Sequence, residues 1–194
     1  MRRVCVFSGS RPGVRPEYAA AARALGQRIA AEGLELVYGG ANAGLMRQLA
    51  DAALAAGGKV IGIIPRALVD REGEHRGLTE LRVVDTMHVR KATMNELSDG
   101  FVALPGGLGT LDELFEIVTW AQLGLHTKPV GLLDVGGYWK PLQRLVEHTV
   151  AEGFTPQDQL ALLLRDEDPA RLLGRMRAWQ PPVLGPQWID ARDT

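Results

Sequence analysis

Short apolar runs of strand-forming residues alternate with longer stretches of helical periodicity along this chain, a pattern that few architectures satisfy. The first pair is Val4 to Phe7 followed by an Ala-rich segment from Pro16 to Ala31 that stops at Gly33, with proline at the start and glycine at the end as helices prefer. The pattern recurs as Leu34 to Tyr38 with a helix from about Gly44, as Val60 to Ile64, and as Leu81 to Val84 with a helix from about Met87 to Ser98. Phe101 to Leu104 then leads into a helix near Thr110 to Gly124, Val130 to Leu133 into Tyr138 to Glu152, and Leu162 to Leu164 into a helix near Pro169 to Trp179. Strands separated by helices this long need right-handed crossovers. The expected fold is therefore α/β, a parallel sheet flanked by helices on both faces. With 194 residues and 46% hydrophobic content, one core suffices; residues 1–180 read as a single domain and 181–194, rich in proline, as an irregular tail.

A formal net charge of -1 provides no overall cationic field, which argues against nucleic acid or a membrane surface as partner. A small anion would need a local pocket instead. The apolar run after Met1-Arg2-Arg3 stops at Phe7, too short for a signal-peptide core or a bilayer span, so the cytoplasm is the expected location. Cys5 is the only cysteine and reads as a buried strand thiol without a catalytic role. His75, His88, His126 and His148 show no close ligand spacing, and neither CxxC nor HExxH occurs, so no metal is expected.

Ligands on parallel sheets bind beyond the carboxyl ends of the strands. Three of those ends carry small or glycine-rich loops: Ser8-Gly9-Ser10, the segment Gly39-Gly40 to Gly44, and Pro105-Gly106-Gly107-Leu108-Gly109-Thr110. Any one of them alone reads as a tight turn; three at strand ends point to a binding site. The third opens an amphipathic helix carrying Leu111, Leu114, Phe115 and Val118 at helical spacing, and a glycine-rich helix start suits a phosphate. It lacks the Gly-Lys-Ser/Thr of a P-loop, and Asp112 stands where a dinucleotide fold has its third glycine.

Thr110 and Glu113 also have the spacing of a capping box, and on spacing alone capping outranks catalysis. A phosphate on the same amides would release Glu113 toward a sugar, where a carboxylate stabilises the positive charge that develops when an N-glycosidic bond breaks. Glu116 and Thr119, successive turns along, are candidates to line the same pocket or an ordinary helix face. The paired cations Arg90 and Lys91, preceded by Met87-His88-Val89, suit a phosphate or the carboxylate of Glu113, or a solvated surface.

These blocks together resemble the Lonely Guy (LOG) family, the cytokinin riboside 5′-monophosphate phosphoribohydrolases. Pro105 to Glu113 reads PGGLGTLDE, a complete match to the family's PGGxGTxxE. Val6 to Ser10, Leu36 to Gly40, Gly44-Leu45-Met46, Met87 to Ala92, Ser98 to Phe101 and Trp120 to Gly124 follow the family's order and spacing. The resemblance implies a Rossmann-like fold, a homodimer, and cofactor-free hydrolysis of N6-modified adenosine monophosphate to free base and ribose 5-phosphate, with AMP often a substrate too. By that match Arg90 and Glu113 are catalytic. Lys91, Gly107, Leu108, Gly109, Thr110, Leu111, Asp112 and Thr119 contact the nucleotide, and Glu72 is a further substrate-contacting acid. Two departures occur in the second loop, Ala41 at a frequent glycine and Arg47 after Leu45-Met46. The arginine is expected to affect the pocket rim or the dimer contact. Family members have also been labelled lysine decarboxylases, but no pyridoxal-binding context is visible here.

Two other readings stay open at this point. One is a non-catalytic nucleotide-binding sensor or carrier, since fold does not decide function. The other is a phosphoribohydrolase acting on another purine monophosphate.

Overall fold

A computed structural model describes residues 1–182, with the backbone alone for 70–72. Its elements run β1 (Arg3–Phe7), α1 (Pro16–Ala31), β2 (Glu35–Tyr38), α2 (Gly44–Ala55), β3 (Val60–Pro65), α3 (Arg66–Glu72), β4 (Glu80–Val84), α4 (Met87–Leu97), β5 (Gly100–Ala103), α5 (Leu108–Gln122), β6 (Val130–Leu133), α6 (Lys140–Ala151), a 3-10 turn (Gln157–Leu162), β7 (Leu163–Asp166) and α7 (Pro169–Ala178). All seven strands pair parallel in the order β4-β3-β2-β1-β5-β6-β7. This is the Rossmann-like α/β sheet that the alternation of short and long segments predicts. The tail from 183 onward lies outside the described residues.

Strand alternation divides the core. Val4, Val6, Leu36 and Tyr38 point to one face, where Leu25, Ile29, Leu49, Leu172 and Met176 of α1, α2 and α7 cover them. Cys5, Phe7 and Val37 point to the other, against Met94 of α4, Leu114 and Ile117 of α5, and Leu142 of α6. Successive side chains leave a strand on opposite faces, so a sheet covered on both sides needs strands that are apolar throughout. Cys5 is fully buried and burial pushes its thiol pKa well up, as expected of a structural strand cysteine.

Local signals place most boundaries. Pro16 opens α1, and Gly33 ends it with a positive φ of 69°. Thr86 caps α4 by accepting from the Val89 amide, and Asp168 caps α7 through Arg171. Two elements were not legible in the sequence. The seven-residue α3 starts at Pro65 without a side-chain cap, too short to show a periodic face. The 3-10 turn before β7 has the same handicap.

The chain leaves β1 toward one edge of the sheet and β5 toward the other, so the crevice between their carboxyl ends is the topological switch point. Two of the glycine-rich loops follow these two strands.

The α1–α2 contact depends on a missing side chain. A Cβ at Gly26 would collide with the Leu49 carbonyl oxygen and sit 3.1 Å from the Ala53 amide. Alanine is the better helix former by about 1 kcal/mol, but forcing two packed helices apart costs about 1–3 kcal/mol. Gly26→Ala should therefore lower stability in denaturant unfolding despite its higher propensity; an unchanged or higher midpoint would show that the helices yield freely.

Candidate active site

The switch point opens into a cavity of about 560 Å³. Its floor is backbone packed on backbone. The Gly9 amide donates to the Pro105 carbonyl at 3.1 Å, and the Leu45 amide to the Gly9 carbonyl at 2.9 Å. A Cβ at Gly106 would lie 2.9 Å from the Gly9 nitrogen and run into the Thr110 side chain. One at Gly44, whose φ is 53°, would run into Ser10 and Arg11. Glycine is required here because three loops from three strand ends meet where no side chain fits.

The third loop delivers α5 into this crevice. Gly107 is its N-cap and offers no side chain, and the first intrahelical bond runs from the Leu111 amide to the Gly107 carbonyl at 3.1 Å. The amides of Leu108, Gly109 and Thr110 thus have no acceptor in the helix. Gly107, Leu108 and Gly109 are exposed at the cavity. Such open amides at the positive end of a helix dipole suit an anion. Ser8 adds a buried hydroxyl oxygen with no hydrogen-bond partner.

The capping-box reading of Thr110 and Glu113 does not hold. The helix starts at Leu108, two residues before Thr110, so Thr110 is already inside it and is buried against Gly106. Glu113, one and a half turns in, faces α4 instead. Its Oε1 lies 3.1 Å from Nη1 of Arg90, with both side chains only 10% exposed. The Arg90 Nε donates to the Ile63 carbonyl at 3.2 Å, and its Nη2 lies against Gly39. Burial raises the Glu113 pKa above the ordinary glutamate value, opposed by Arg90 and reinforced by Asp112.

Arg90 and Lys91 are consecutive, so on a helix they point about 100° apart. Arg90 goes inward. Lys91 reaches across to α5, its Nζ 2.9 Å from Glu116 Oε1 and 3.2 Å from Asp112 Oδ2. Burial alone would lower the Lys91 pKa, but these two carboxylates outweigh it and the net shift is upward. Two acids on one side and a buried acid–base pair on the other leave α5 polar along its inner edge.

The cavity wall brings together Ser8, Gly9, Ser10, Met87, Arg90 and the loop Gly106 to Thr110, followed by Asp112 and Glu113. Other candidates lie off the wall. Gly39 is buried beneath Arg90, and Gly40, with a φ of 74°, is buried against Ile63 and Ile64. Leu111 packs into the core, Glu116 pairs with Lys91, and Thr119 is exposed further along α5. The side chain of Glu72 lies outside the described residues. Arg47 pairs with Asp51 at 3.2 Å and is not among the residues lining the cavity. Ala41 is buried and bridges to Glu74.

Sequence reasoning missed Arg11, Tyr18, Leu45, Met46, Leu68 and Tyr138, all of which line the cavity. Arg11 sits one residue past a loop already singled out; Tyr138 lies far along the chain, after β6, with no motif of its own. Among the described residues no group of three or more His, Cys, Asp or Glu side chains is arranged to hold a metal, and no helix is long and apolar enough to cross a membrane.

Residues 46–176 match the family model described as "Possible lysine decarboxylase". The chain is 42% identical over 190 residues to the rice cytokinin riboside 5′-monophosphate phosphoribohydrolase LOG, covering 97% of this chain and 78% of that one. It is 52% identical over 152 residues to the cytokinin riboside 5′-monophosphate phosphoribohydrolase of Rhodococcoides fascians, covering 78% and 77%. Among solved structures it is similar in fold to the molybdenum cofactor carrier protein of Chlamydomonas reinhardtii, with a TM-score of 0.70 and 22% identity over 92% of this chain and 99% of that one. Identity of this degree over most of both chains, joined to a glycine-cradled helix start beside a buried Arg–Glu pair, makes this chain a member of the LOG family of cytokinin riboside 5′-monophosphate phosphoribohydrolases.

Proposed function

We propose that this protein hydrolyses the N-glycosidic bond of N6-modified adenosine 5′-monophosphate, and of AMP itself, to free base and ribose 5-phosphate. The observation that carries it is the buried Arg90–Glu113 pair beside the open amides of α5. The phosphate sits on the Gly107 to Thr110 turn and holds the ribose over Glu113. As the bond to the base breaks, positive charge develops on the ribose, and an ionised Glu113 in a water-poor wall stabilises it. Glu113 also orients the attacking water, whose hydroxyl ends on C1′ and whose remaining proton ends on the departing base. Arg90, tied to Ile63 and Met87, fixes the direction of the Glu113 carboxylate. Lys91 reaches across from α4 and balances Asp112 and Glu116 of α5.

The same reading makes the protein a cytoplasmic homodimer. Val89 of α4 and Phe115 of α5 are 46% and 42% exposed on helices that Lys91 and Glu116 join side by side, and exposed apolar side chains of this kind suit a second copy. Light scattering should give twice the chain mass; a stable monomer at micromolar concentration would overturn the assembly without touching the reaction.

Chromatography of AMP or N6-isopentenyl-AMP incubated with the protein should show free base and ribose 5-phosphate. Glu113→Gln should reduce the rate by at least about 10²-fold while a nucleotide still binds; full activity would remove Glu113 from the chemistry, and binding without product by the wild type would point to a carrier. The pH dependence follows from the sign of the shift. A raised pKa keeps the proton on Glu113 to higher pH, so the active carboxylate accumulates only above the ordinary glutamate range. kcat/KM should therefore climb along an acid limb shifted upward from the ordinary glutamate value.

Gly39 provides a second, independent probe. A Cβ there would collide with Nη2 of Arg90 and lie 3.1 Å from Met46 Sδ. The obstructed guanidinium is itself held by Glu113 and the Ile63 carbonyl, so alanine displaces it from a buried pair. Gly39→Ala should cost about 10–10²-fold in kcat and lower the melting temperature as well, since a disrupted buried pair is destabilising. A variant as active as wild type would show that the Arg90 position is not critical.

A further inference from the structure

We infer that Tyr138 is a positioning residue for phosphate recognition, selecting by its hydroxyl which way the Gly106–Gly107 peptide faces. The inference rests on the phosphoribohydrolase reading of the cavity.

The Tyr138 hydroxyl donates to the carbonyl oxygen of Gly106. In a trans peptide the C=O and the following N–H point in opposite directions, so this contact also directs the Gly107 amide. Gly107 is the N-cap of α5 and lines the cavity. Its peptide lies between two glycines, the pair of residues that resists rotation of the intervening plane least. Rotated the other way, it would turn a carbonyl oxygen rather than an N–H toward the cradle, and an oxygen dipole there repels a phosphate. The Gly9–Pro105 hydrogen bond pins the peptide before this one. At the Gly106 carbonyl itself the Tyr138 hydroxyl is the side-chain donor.

Tyr138 is held firmly enough for the task. It lies in the turn between β6 and α6, where its amide donates to the Val135 carbonyl at 3.2 Å. The next residue, Trp139, is 1% exposed; its amide donates to the fully buried Asp134 at 2.9 Å and its indole to the Leu133 carbonyl at 3.2 Å. The Tyr138 ring meets Tyr18 edge-on at 5.8 Å and Trp139 edge-on at 5.0 Å. The phenol is thus set by a buried anchor in the β6–α6 turn, and it reaches the loop from outside the PGGLGTLDE segment.

The experiment compares wild type with Tyr138→Phe, which keeps the ring and both edge contacts. Calorimetric affinity for ribose 5-phosphate should fall about 5–10-fold, the scale of one lost hydrogen bond to a loop that contacts an anion. KM for AMP should rise in parallel while kcat stays within about twofold and the melting temperature barely moves. Unchanged ribose 5-phosphate affinity, or a loss confined to kcat, would overturn the assignment. A second arm covers a destabilised Phe variant: a ring-fluorinated tyrosine placed at 138 ionises more readily, and a phenolate cannot donate to a carbonyl. Its affinity relative to wild type should fall as pH rises through that ionisation, whereas a flat ratio would leave Tyr138 with packing alone. A wild type that neither binds ribose 5-phosphate nor releases base would sink the functional reading and this inference together. A wild type that does both, beside a Phe variant of equal affinity, would sink only the inference.

Discussion

The buried contact between Arg90 and Glu113 sets the terms for the surrounding structure. Neither group is tolerable alone at that depth: an unpaired buried charge left by its partner's removal typically costs about 3–5 kcal/mol. The pair therefore requires α4 and α5 to stand side by side at a particular register. It also requires a glycine at 39 to make room for the guanidinium and a backbone carbonyl at Ile63 to take its Nε–H. Residues on the loop after β2, on β3, α4 and α5 are thus tied to one charge contact. Burial works against the ionised carboxylate while Arg90 works for it, and the balance leaves the Glu113 proton harder to remove than usual.

Beside this dry pair the structure builds a wet one. The start of α5 carries no capping side chain, and the amides of its first residues, which line the cavity, have no acceptor in the helix. In the proposed reaction a phosphate would supply what the cap omits, binding in an electrostatic cradle that costs little desolvation, while the sugar is carried to the low-dielectric side where a carboxylate acts most strongly. The two requirements conflict within a single residue, since a capping Glu113 would be spent on the helix amides. Starting the helix at Leu108 resolves the conflict by moving Glu113 off the first turn and onto the face toward α4.

The strands and most helices were legible because their signals are local. A parallel sheet buried on both sides shows itself as uninterrupted apolar runs, and Pro16, Gly33 and Asp168 mark helix ends by their own backbone and side-chain chemistry. The candidate loops were legible because glycine is informative where strands end. What the sequence left open was decided by contacts between elements. The Thr110–Glu113 spacing permits a capping box, but the choice between two helix starts depends on what α4 presents to Glu113. From its place after Leu45-Met46, Arg47 suited either the pocket rim or a dimer contact; α2 turns it outward to Asp51. Lys91 of α4 and Glu116 of α5 pair beside the site and Thr119 lies further along α5, none of them on the cavity wall.

The sequence by itself determined the parallel α/β layering, the identity of the loops that meet at the switch point, and the chemical types on offer there, because strand alternation, helix period and glycine placement are properties of neighbouring residues. Tertiary structure alone decided that Arg90 and Glu113 face each other, that Lys91 is diverted to Glu116 and Asp112, and that Tyr18, Leu68 and Tyr138 belong to the same cavity as the PGGLGTLDE loop. These are contacts between segments far apart in the chain. Their distances depend on how strands are ordered and how helices pack across the sheet, which no local periodicity encodes.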